Sequence, residues 1–519
     1  MKPEKYNDSF DLIVIGGGIT GAGVLREAVR MGLKTLLVEK NDFAYQTSSR
    51  SSKLVHGGLR YLRQGQLHLT YESVRQRQRL LEEAPGLVEE IEFLIPIYKD
   101  KQPGRAPLMA GLTLYDAMAG KRNHRHYNRR DFLHLVPEID SAGLSGGYLF
   151  MDAQTDDARL VLRLINEAAE NGGQAMNYTA AVRILKDENG YVAGIEAKNS
   201  ETGQLWTFAA PAVINATGAW AEALHPVYKS NMHLRPLRGS HLVIDASRLN
   251  LSFAVTLMHP DDGRPLFIIP WEGALLLGTT DIDHDGDINR EIRATAQEAR
   301  YMIECLRAYF PDADIGLKDC ISSFAGIRPV LGKKGTDPSG ESREHAIWED
   351  KGLVTITGGK LTTFRILAED SLKAAAPWLA LKSQPEMSAP AFALFSQKNA
   401  ENEKKGLSAA VLRRLYGRYG RTAHDLISNA AKDDLCVIPG THTLWAELLH
   451  AAKTESVCHL SDLLLRRVRI GMLLPNGAAR YLDCIQKLCE PVLGWDETRW
   501  IYEKRMYMDY VKTAYRVPE

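Results

Sequence analysis

Cysteine is scarce. The 519-residue chain has six, Cys305, Cys320, Cys436, Cys458, Cys484 and Cys489, scattered and without a C-x-x-C pair. That spacing excludes a regular disulfide framework and fits a reducing compartment. Excess charge of either sign is missing too, since 64 Lys and Arg offset 64 Asp and Glu. No global field draws the chain to nucleic acid or to an anionic membrane, so any such contact must be local. No apolar run reaches the roughly 20 residues that cross a bilayer, and the opening MKPEKYNDSF lacks the apolar core of a signal peptide. The expected location is cytoplasmic, or peripheral on the inner face of the cell membrane. Internal repeats and low-complexity tracts are absent as well. The length is too great for one ordinary core and calls for two or three domains.

What is present begins with a short β-branched run, Asp11 to Ile15, that stops at three glycines. A helical pattern containing Val24, Leu25, Ala28 and Val29 follows, Gly32 ends it, and Lys34 to Glu39 reads as a second buried strand. This is a βαβ unit and implies a parallel sheet. Residues 66–83 read as a charged helix, and the apolar stretch 107–118 leads into the basic stretch 121–130. Tyr178 to Leu277 carries mostly strand signals, enough to finish one sheet and build another. Gly352 to Arg365 returns to a strand and a glycine turn. Residues 380–406, rich in Lys, Ser, Pro, Asn and Glu, read as a linker to a last helical unit. There Ser408 caps a helix that Gly417 can end, and a second helix is predicted from Ser461 to about Gly471.

Gly16-Gly17-Gly18-Ile19-Thr20-Gly21 satisfies G-x-G-x-x-G between a strand and a helix. Small residues there let backbone amides approach a pyrophosphate at a helix N-terminus. Alone the match is weak, but Glu39 ends the next strand about 20 residues on, where a carboxylate can take the hydroxyls of an adenosine ribose. A chance glycine turn becomes an unlikely alternative, while NAD and FAD stay open because both carry ADP. Thr47 to Tyr61, TSSRSSKLVHGGLRY, then sets hydroxyls, glycines and cations just beyond the second strand. A merely solvated Ser-rich loop would hardly hold Leu54, Val55 and Gly57-Gly58 at its centre.

With this segment the chain resembles the FAD-dependent glycerol-3-phosphate dehydrogenases of the D-amino-acid-oxidase-like flavoprotein group. The matching blocks include GGGITGAG at 16–23, TSSRSSKLVHGGLRYL at 47–62, DDARLVL at 156–162, NATGAW at 215–220, RGSHLV at 238–243, FIIPW at 267–271, GTTD at 278–281, GIRPV at 326–330 and GGKLTTFR at 358–365. SDLLLRRVRIGM is a weaker match near the C-terminus. The resemblance implies an α/β fold: a Rossmann-like parallel FAD-binding sheet, an antiparallel-sheet substrate domain and a C-terminal helical domain. It implies FAD-binding segments at 8–75, 151–235 and 326–380, a cap at 76–150, a substrate domain at 236–325, a linker at 381–406 and the helical domain at 407–519.

By the same resemblance, Gly16, Gly18, Ile19, Thr20 and Gly21 hold the FAD pyrophosphate, with Glu39 and Lys40 at the ribose. Thr47, Ser48, Ser49, Ser51, Ser52, Lys53, Leu54, His56 and Gly57 line flavin and pyrophosphate, and Val182 meets the adenine through its backbone. Ala216, Thr217 and Gly218 close the phosphate side. Gly359, Lys360, Leu361, Thr362 and Thr363 face the flavin, where amides can stabilise the charge of its reduced form. Oxidising a secondary alcohol removes its hydroxyl proton as hydride leaves carbon, so a base or a cationic alkoxide stabiliser is needed. His56, His241, Arg328 and Lys360 are the catalytic candidates, His56 and Arg328 foremost. Arg60, Tyr61 and Arg343, with Arg328 and Lys360, are the candidates for gripping a substrate phosphate.

The implied reaction is oxidation of sn-glycerol 3-phosphate to dihydroxyacetone phosphate, with a quinone as acceptor, and the resemblance allows a homodimer. An oxygen-using glycerol-3-phosphate oxidase would present nearly the same site. An amino-acid or sarcosine-type oxidase would need no phosphate grip, and a flavin-binding assembly protein would have lost the substrate-side cations. Residues 281–286 begin like a calcium loop, but position 12 would be Ile292, so no metal is expected. The apolar 107–118 and the cations Lys121, Arg122, Arg125, Arg129 and Arg130 could seat the chain on anionic lipid, or form a buried cap helix and a solvated loop.

Overall fold

A computed structural model describes residues 9–63, 65–99, 102, 104–224, 233–332, 344–380, 389–393 and 406–519, without the side chains of Arg60, Arg63 and His233. The βαβ unit stands where the sequence places it: strand β1 (Leu12–Ile15), helix α1 (Ile19–Arg30) and strand β2 (Thr35–Val38). Every residue of both strands is buried, the continuous apolar pattern of a parallel sheet covered on two faces. α1 packs against the helices Asp157–Glu170 and Phe364–Ala375, and Gly23 is bare because a Cβ there would come within 2.9 Å of the Phe364 ring.

The six-stranded sheet runs His345–Asp350, Leu353–Gly358, Val213–Asn215, β1, β2, Gln174–Met176. All its pairings are parallel except that of the edge strand His345–Asp350. A nine-stranded sheet, antiparallel but for one pairing, is built on long strands such as Val88–Tyr98, Leu144–Thr155, His233–Asp245 and Cys320–Gly332. A three-stranded antiparallel sheet, Thr179–Lys186, Val192–Asn199 and Leu205–Ala209, completes the β structure.

The C-terminal helices do not stand apart. Leu448, Leu463, Leu464 and Trp500 share one core with Phe93, Trp271, Leu276 and Phe324 of the nine-stranded sheet. Each such buried side chain contributes about 1.5–3 kcal/mol, so the helical unit is held by the same hydrophobic effect that builds the domains it touches.

Three local expectations need correction. The helix capped by Ser408 runs through Gly417 to Tyr419 and stops at Gly420; Gly417 is small because a Cβ there would lie 2.3 Å from the Gly86 carbonyl carbon. The stretch 461–471 is a broken helix. A short turn, Leu460–Asp462, widens into a π turn, Leu463–Arg467, and Arg469 at φ 63° interrupts it before Ile470–Leu473. Within 380–406, the described residues 389–393 pack inward: Ala391 and Phe392 are buried, and the Ala391 and Ala393 amides donate to Glu83 and Glu167. An apolar pair inside a polar stretch outweighed its composition. Among the described residues no helix is long and apolar enough to cross a membrane.

Candidate active site

A cleft of about 350 Å³ opens where β1 ends. Gly16 has φ +112°, and a Cβ on it would lie 2.6 Å from the Ala216 carbonyl oxygen. One on Gly21 would lie 1.9 Å from the Gly16 carbonyl oxygen. These glycines are what let strand, turn and helix close on each other. Gly18 is the N-cap of α1; it has no side-chain cap, and no acidic residue occupies the first turn. The positive end of the helix dipole therefore faces the cleft without a carboxylate of its own, which suits a pyrophosphate. Gly16, Gly18, Ile19 and Thr20 line the cleft here, and Ala216, Thr217 and Gly218 line it beside Gly16.

Glu39 also lines the cleft. Its half-buried carboxylate accepts from the Gly17 amide (2.7 Å) and the Asn41 amide (2.9 Å), so it braces the turn. Burial raises its pKa. Lys40 lines the cleft with its ammonium 4.5 Å from the centre of a Trp220 ring. Ala180 and Ala181 line the wall where Val182 was expected; Val182 itself is 52% exposed and outside the lining.

At the other end, Gly358 (φ +82°) and Gly359 (φ +74°) turn the chain out of its strand, and Gly359, Lys360 and Leu361 line the cleft. Thr362 and Thr363 are buried behind them, and the Thr362 hydroxyl donates to the His56 carbonyl at 3.3 Å. The Lys360 ammonium donates to Ser73 Oγ (3.1 Å) and sits 3.7 Å from the centre of the Tyr61 ring. That ring lies 6.0 Å from His56. Lys360, Tyr61 and His56 are thus brought together beside the cleft.

Thr47 and Ser48 line the cleft, and the Ile19 amide donates to Ser48 Oγ at 2.9 Å. Their neighbours turn away from it. Lys53, at φ 60° and fully buried, donates to Asp157 (2.8 Å) and to the Ser49 carbonyl (2.7 Å). Burial, with the Arg469 charge, lowers its pKa to about 7. Ser51 gives both its amide and its hydroxyl to Asp157, Ser49 and Leu54 are buried, and Gly57 is pinned by Asp152 with no room for a Cβ beside the Tyr115 hydroxyl. These side chains shape the loop from beneath.

Arg328 donates to Thr279 Oγ1 (2.9 Å), Asp281 (3.0 Å) and the Thr280 carbonyl (3.1 Å), and its guanidinium lies over Gly239, 2.3 Å from where a Cβ would stand. Asp283 pairs with Arg235. Both leading acids of the calcium-like stretch are therefore held by arginines. His241 is fully buried, stacked on Phe324 (4.8 Å) and in contact with Ser52 Oγ at 2.9 Å. Burial, then the Arg328 and Lys53 charges, push its pKa well below the usual range, so it stays neutral. Arg343 and the Arg60 side chain lie outside the described residues.

Sequence reasoning missed Asp42, Asp157 and the arginines that meet them. The only signal for Asp157 was its place in the DDARLVL block. Asp42 and Arg467 are hydrogen-bonded partners 425 residues apart, which no local pattern announces.

Residues 11–367 match the family described as FAD dependent oxidoreductase, and residues 374–500 match the C-terminal domain of alpha-glycerophosphate oxidase. An aerobic glycerol-3-phosphate dehydrogenase of Staphylococcus haemolyticus is 34% identical over 525 residues, covering 96% of this chain and 94% of the relative. One from Staphylococcus saprophyticus is 34% identical over 546 residues, with 100% and 98% covered. The solved glycerol-3-phosphate dehydrogenase of Bacillus halodurans, complexed with FAD, superposes with a TM-score of 0.79 at 29% identity, covering 98% of this chain and 96% of that one. The fold is also shared with the L-alpha-glycerophosphate oxidase of Mycoplasma pneumoniae (TM-score 0.59, 20% identity, 75% and 99% covered).

Proposed function

The chain belongs to the FAD-dependent oxidoreductases, in the branch of the aerobic glycerol-3-phosphate dehydrogenases, and we propose that it oxidises sn-glycerol 3-phosphate to dihydroxyacetone phosphate and passes the electrons to a quinone. The observation that carries this reading is the meeting of Lys360, Tyr61 and His56 where the cofactor cleft ends. An ammonium and a phenol at one point can hold an anionic group, and an imidazole beside them can take the proton of an alcohol.

The FAD cradle fits its group: a helix N-terminus with no acidic residue in its first turn, two glycines without room for a Cβ, and Glu39 across the turn. FAD, when bound, supplies the hydride acceptor. The protein's part is to hold the substrate and take its hydroxyl proton. A ring nitrogen of His56 is the acceptor we favour, because arginine cannot be deprotonated and His241 is buried beneath Ser52. Lys360 and Arg328 supply positive charge for the developing alkoxide and the phosphate, and Arg60 and Arg343 are proposed to add phosphate contacts.

Quinone delivery suits a membrane face. The helix Arg105–Ala119 exposes Met109 and Leu114, and the neighbouring helix exposes Leu67 and Tyr71; Lys121, Arg122, Arg125, Arg129 and Arg130 are exposed beside them. Neutralising those five cations should weaken flotation with anionic liposomes.

The direct test is anaerobic. Glycerol 3-phosphate should bleach the flavin band of the purified protein, whereas glycerol and glycine should not. Bleaching by glycine, or none by glycerol 3-phosphate, overturns the reading.

A further inference from the structure

The broken helix near the C-terminus reaches two points of the chain that adjoin cleft-lining residues. Arg466 and Arg467 converge on Asp42, with Arg466 Nε and Arg467 Nη1 each 2.5 Å from its carboxylate. All three side chains are fully buried. Asp42 directly follows the cleft-lining run Glu39–Asn41 and precedes Ala44, whose amide donates to the Gly17 carbonyl at 2.9 Å. Farther along, Arg469 Nη2 donates to the Ser49 carbonyl at 2.7 Å and to Asp157 at 3.3 Å. Lys53 Nζ meets the same carbonyl and the same carboxylate. Ser49 adjoins Ser48, the residue that accepts the Ile19 amide at the mouth of α1.

We propose that Arg469 is a positioning residue for the cofactor: from the C-terminal helical unit it holds the Ser48–Lys53 loop in the shape that binds FAD, while Arg466 and Arg467 do the same for the segment after Glu39. The break in the helix makes this possible, because the π turn and the left-handed Arg469 send nearby arginines to acceptors on two different loops. The grip is a charged donor on a buried carbonyl, desolvated on both sides, so its loss is transmitted to the loop rather than absorbed by water. This rests on the reading of the cleft as the FAD site and is independent of the substrate.

The test compares FAD release from diluted holoenzyme, followed by the fluorescence of freed flavin, in the parent, Arg469→Gln, Arg469→Lys and Arg414→Gln. Arg414 pairs with Glu272 and Glu447, does not line the cleft and touches neither loop, and serves as the control for lost stability. A buried hydrogen bond from a charged group corresponds to roughly 10- to 100-fold in affinity. Arg469→Gln should weaken FAD binding by about that factor, Arg469→Lys by less, and Arg414→Gln should lower Tm while holding FAD like the parent. If Arg469→Gln does not fold, Arg469→Lys decides: parent-like release overturns the proposal, and several-fold faster release supports it. Equal FAD loss from Arg414→Gln and Arg469→Gln also overturns it, since general loosening would then suffice. A parent without FAD overturns the assignment of the cleft itself. An FAD-loaded parent beside an equally loaded Arg469→Gln overturns the clamp alone.

Discussion

The glycine turn after β1 and the arginine clamp behind it serve one cleft by opposite means. The turn works through missing atoms: Gly16 and Gly21 have no Cβ because the Ala216 and Gly16 carbonyls occupy the space. The clamp works through the largest charged side chains in the alphabet, buried and paired with Asp42 and Asp157. A site built from absence fails sterically and all at once. One built from buried charge fails by degrees and changes with pH.

The largest effect is expected at the turn. Gly21→Leu would drive a side chain into the Gly16 carbonyl, and FAD binding should be lost outright. Purification of a yellow, fully loaded Gly21→Leu protein would break the steric half of the comparison. Next comes Asp42→Asn, which leaves Arg466 and Arg467 facing a neutral amide. Breaking a buried pair in this way costs about 3–5 kcal/mol, read as a shifted unfolding midpoint. The two arginine charges, overcoming the cost of burial, hold the Asp42 carboxyl below its usual range. A depressed carboxyl contributes stability that is fully present above the ordinary value of about 4 and is lost as pH falls below it. Acid unfolding of Asp42→Asn should therefore be less steep than that of the parent; identical acid profiles would count against the clamp's charge.

The same contrast explains what could be read in advance. The turn and β2 were legible because their logic is local: a fixed spacing of glycines, then Glu39. The clamp was not, because Asp42 has nothing in its own neighbourhood to mark it and its partners lie in the last sixth of the chain. Lys53 was assigned to the cofactor by resemblance alone; its left-handed backbone and its pairing with Asp157 under the loop are further features that no local pattern announces. The predicted helix over 461–471 is interrupted where Arg466 and Arg467 meet the buried acids Asp42 and Asp462, and Asp42 lies far outside the segment. Phe392 shows the same limit, since a polar surrounding hid a residue buried against Arg163.

A smaller, pH-bound effect is expected at His459, in the C-terminal unit. Burial opposes its charge, but a hydrogen bond to Glu503 (3.0 Å), with Asp462 and Glu201 near, raises its pKa to about 9. A raised histidine contributes stability that is fully present below its ordinary value of about 6.5 and is lost as pH rises through about 9. Tm of the parent should fall across that window and Tm of His459→Gln should not. Equal slopes would show that the imidazolium contributes nothing.

The smallest effect belongs to Ser48, where the two regions meet. Its hydroxyl accepts the Ile19 amide in the first turn of α1, and its peptide neighbour Ser49 is the group that Arg469 holds. Ser48→Ala removes one neutral hydrogen bond, worth about 1 kcal/mol, so FAD affinity should drop by roughly fivefold with little change in Tm. The informative measurement is the cycle of Ser48→Ala with Arg469→Gln. If the clamp acts by placing Ser48 against α1, the serine has little left to lose once Arg469 is gone, and the double variant should be weaker than Arg469→Gln by much less than fivefold. A coupling of about 0.5–1 kcal/mol is then expected, larger than the few tenths seen for independent sites. Strict additivity would mean that turn and clamp bind the cofactor separately, and the path from Arg469 to the α1 amide would have to be abandoned.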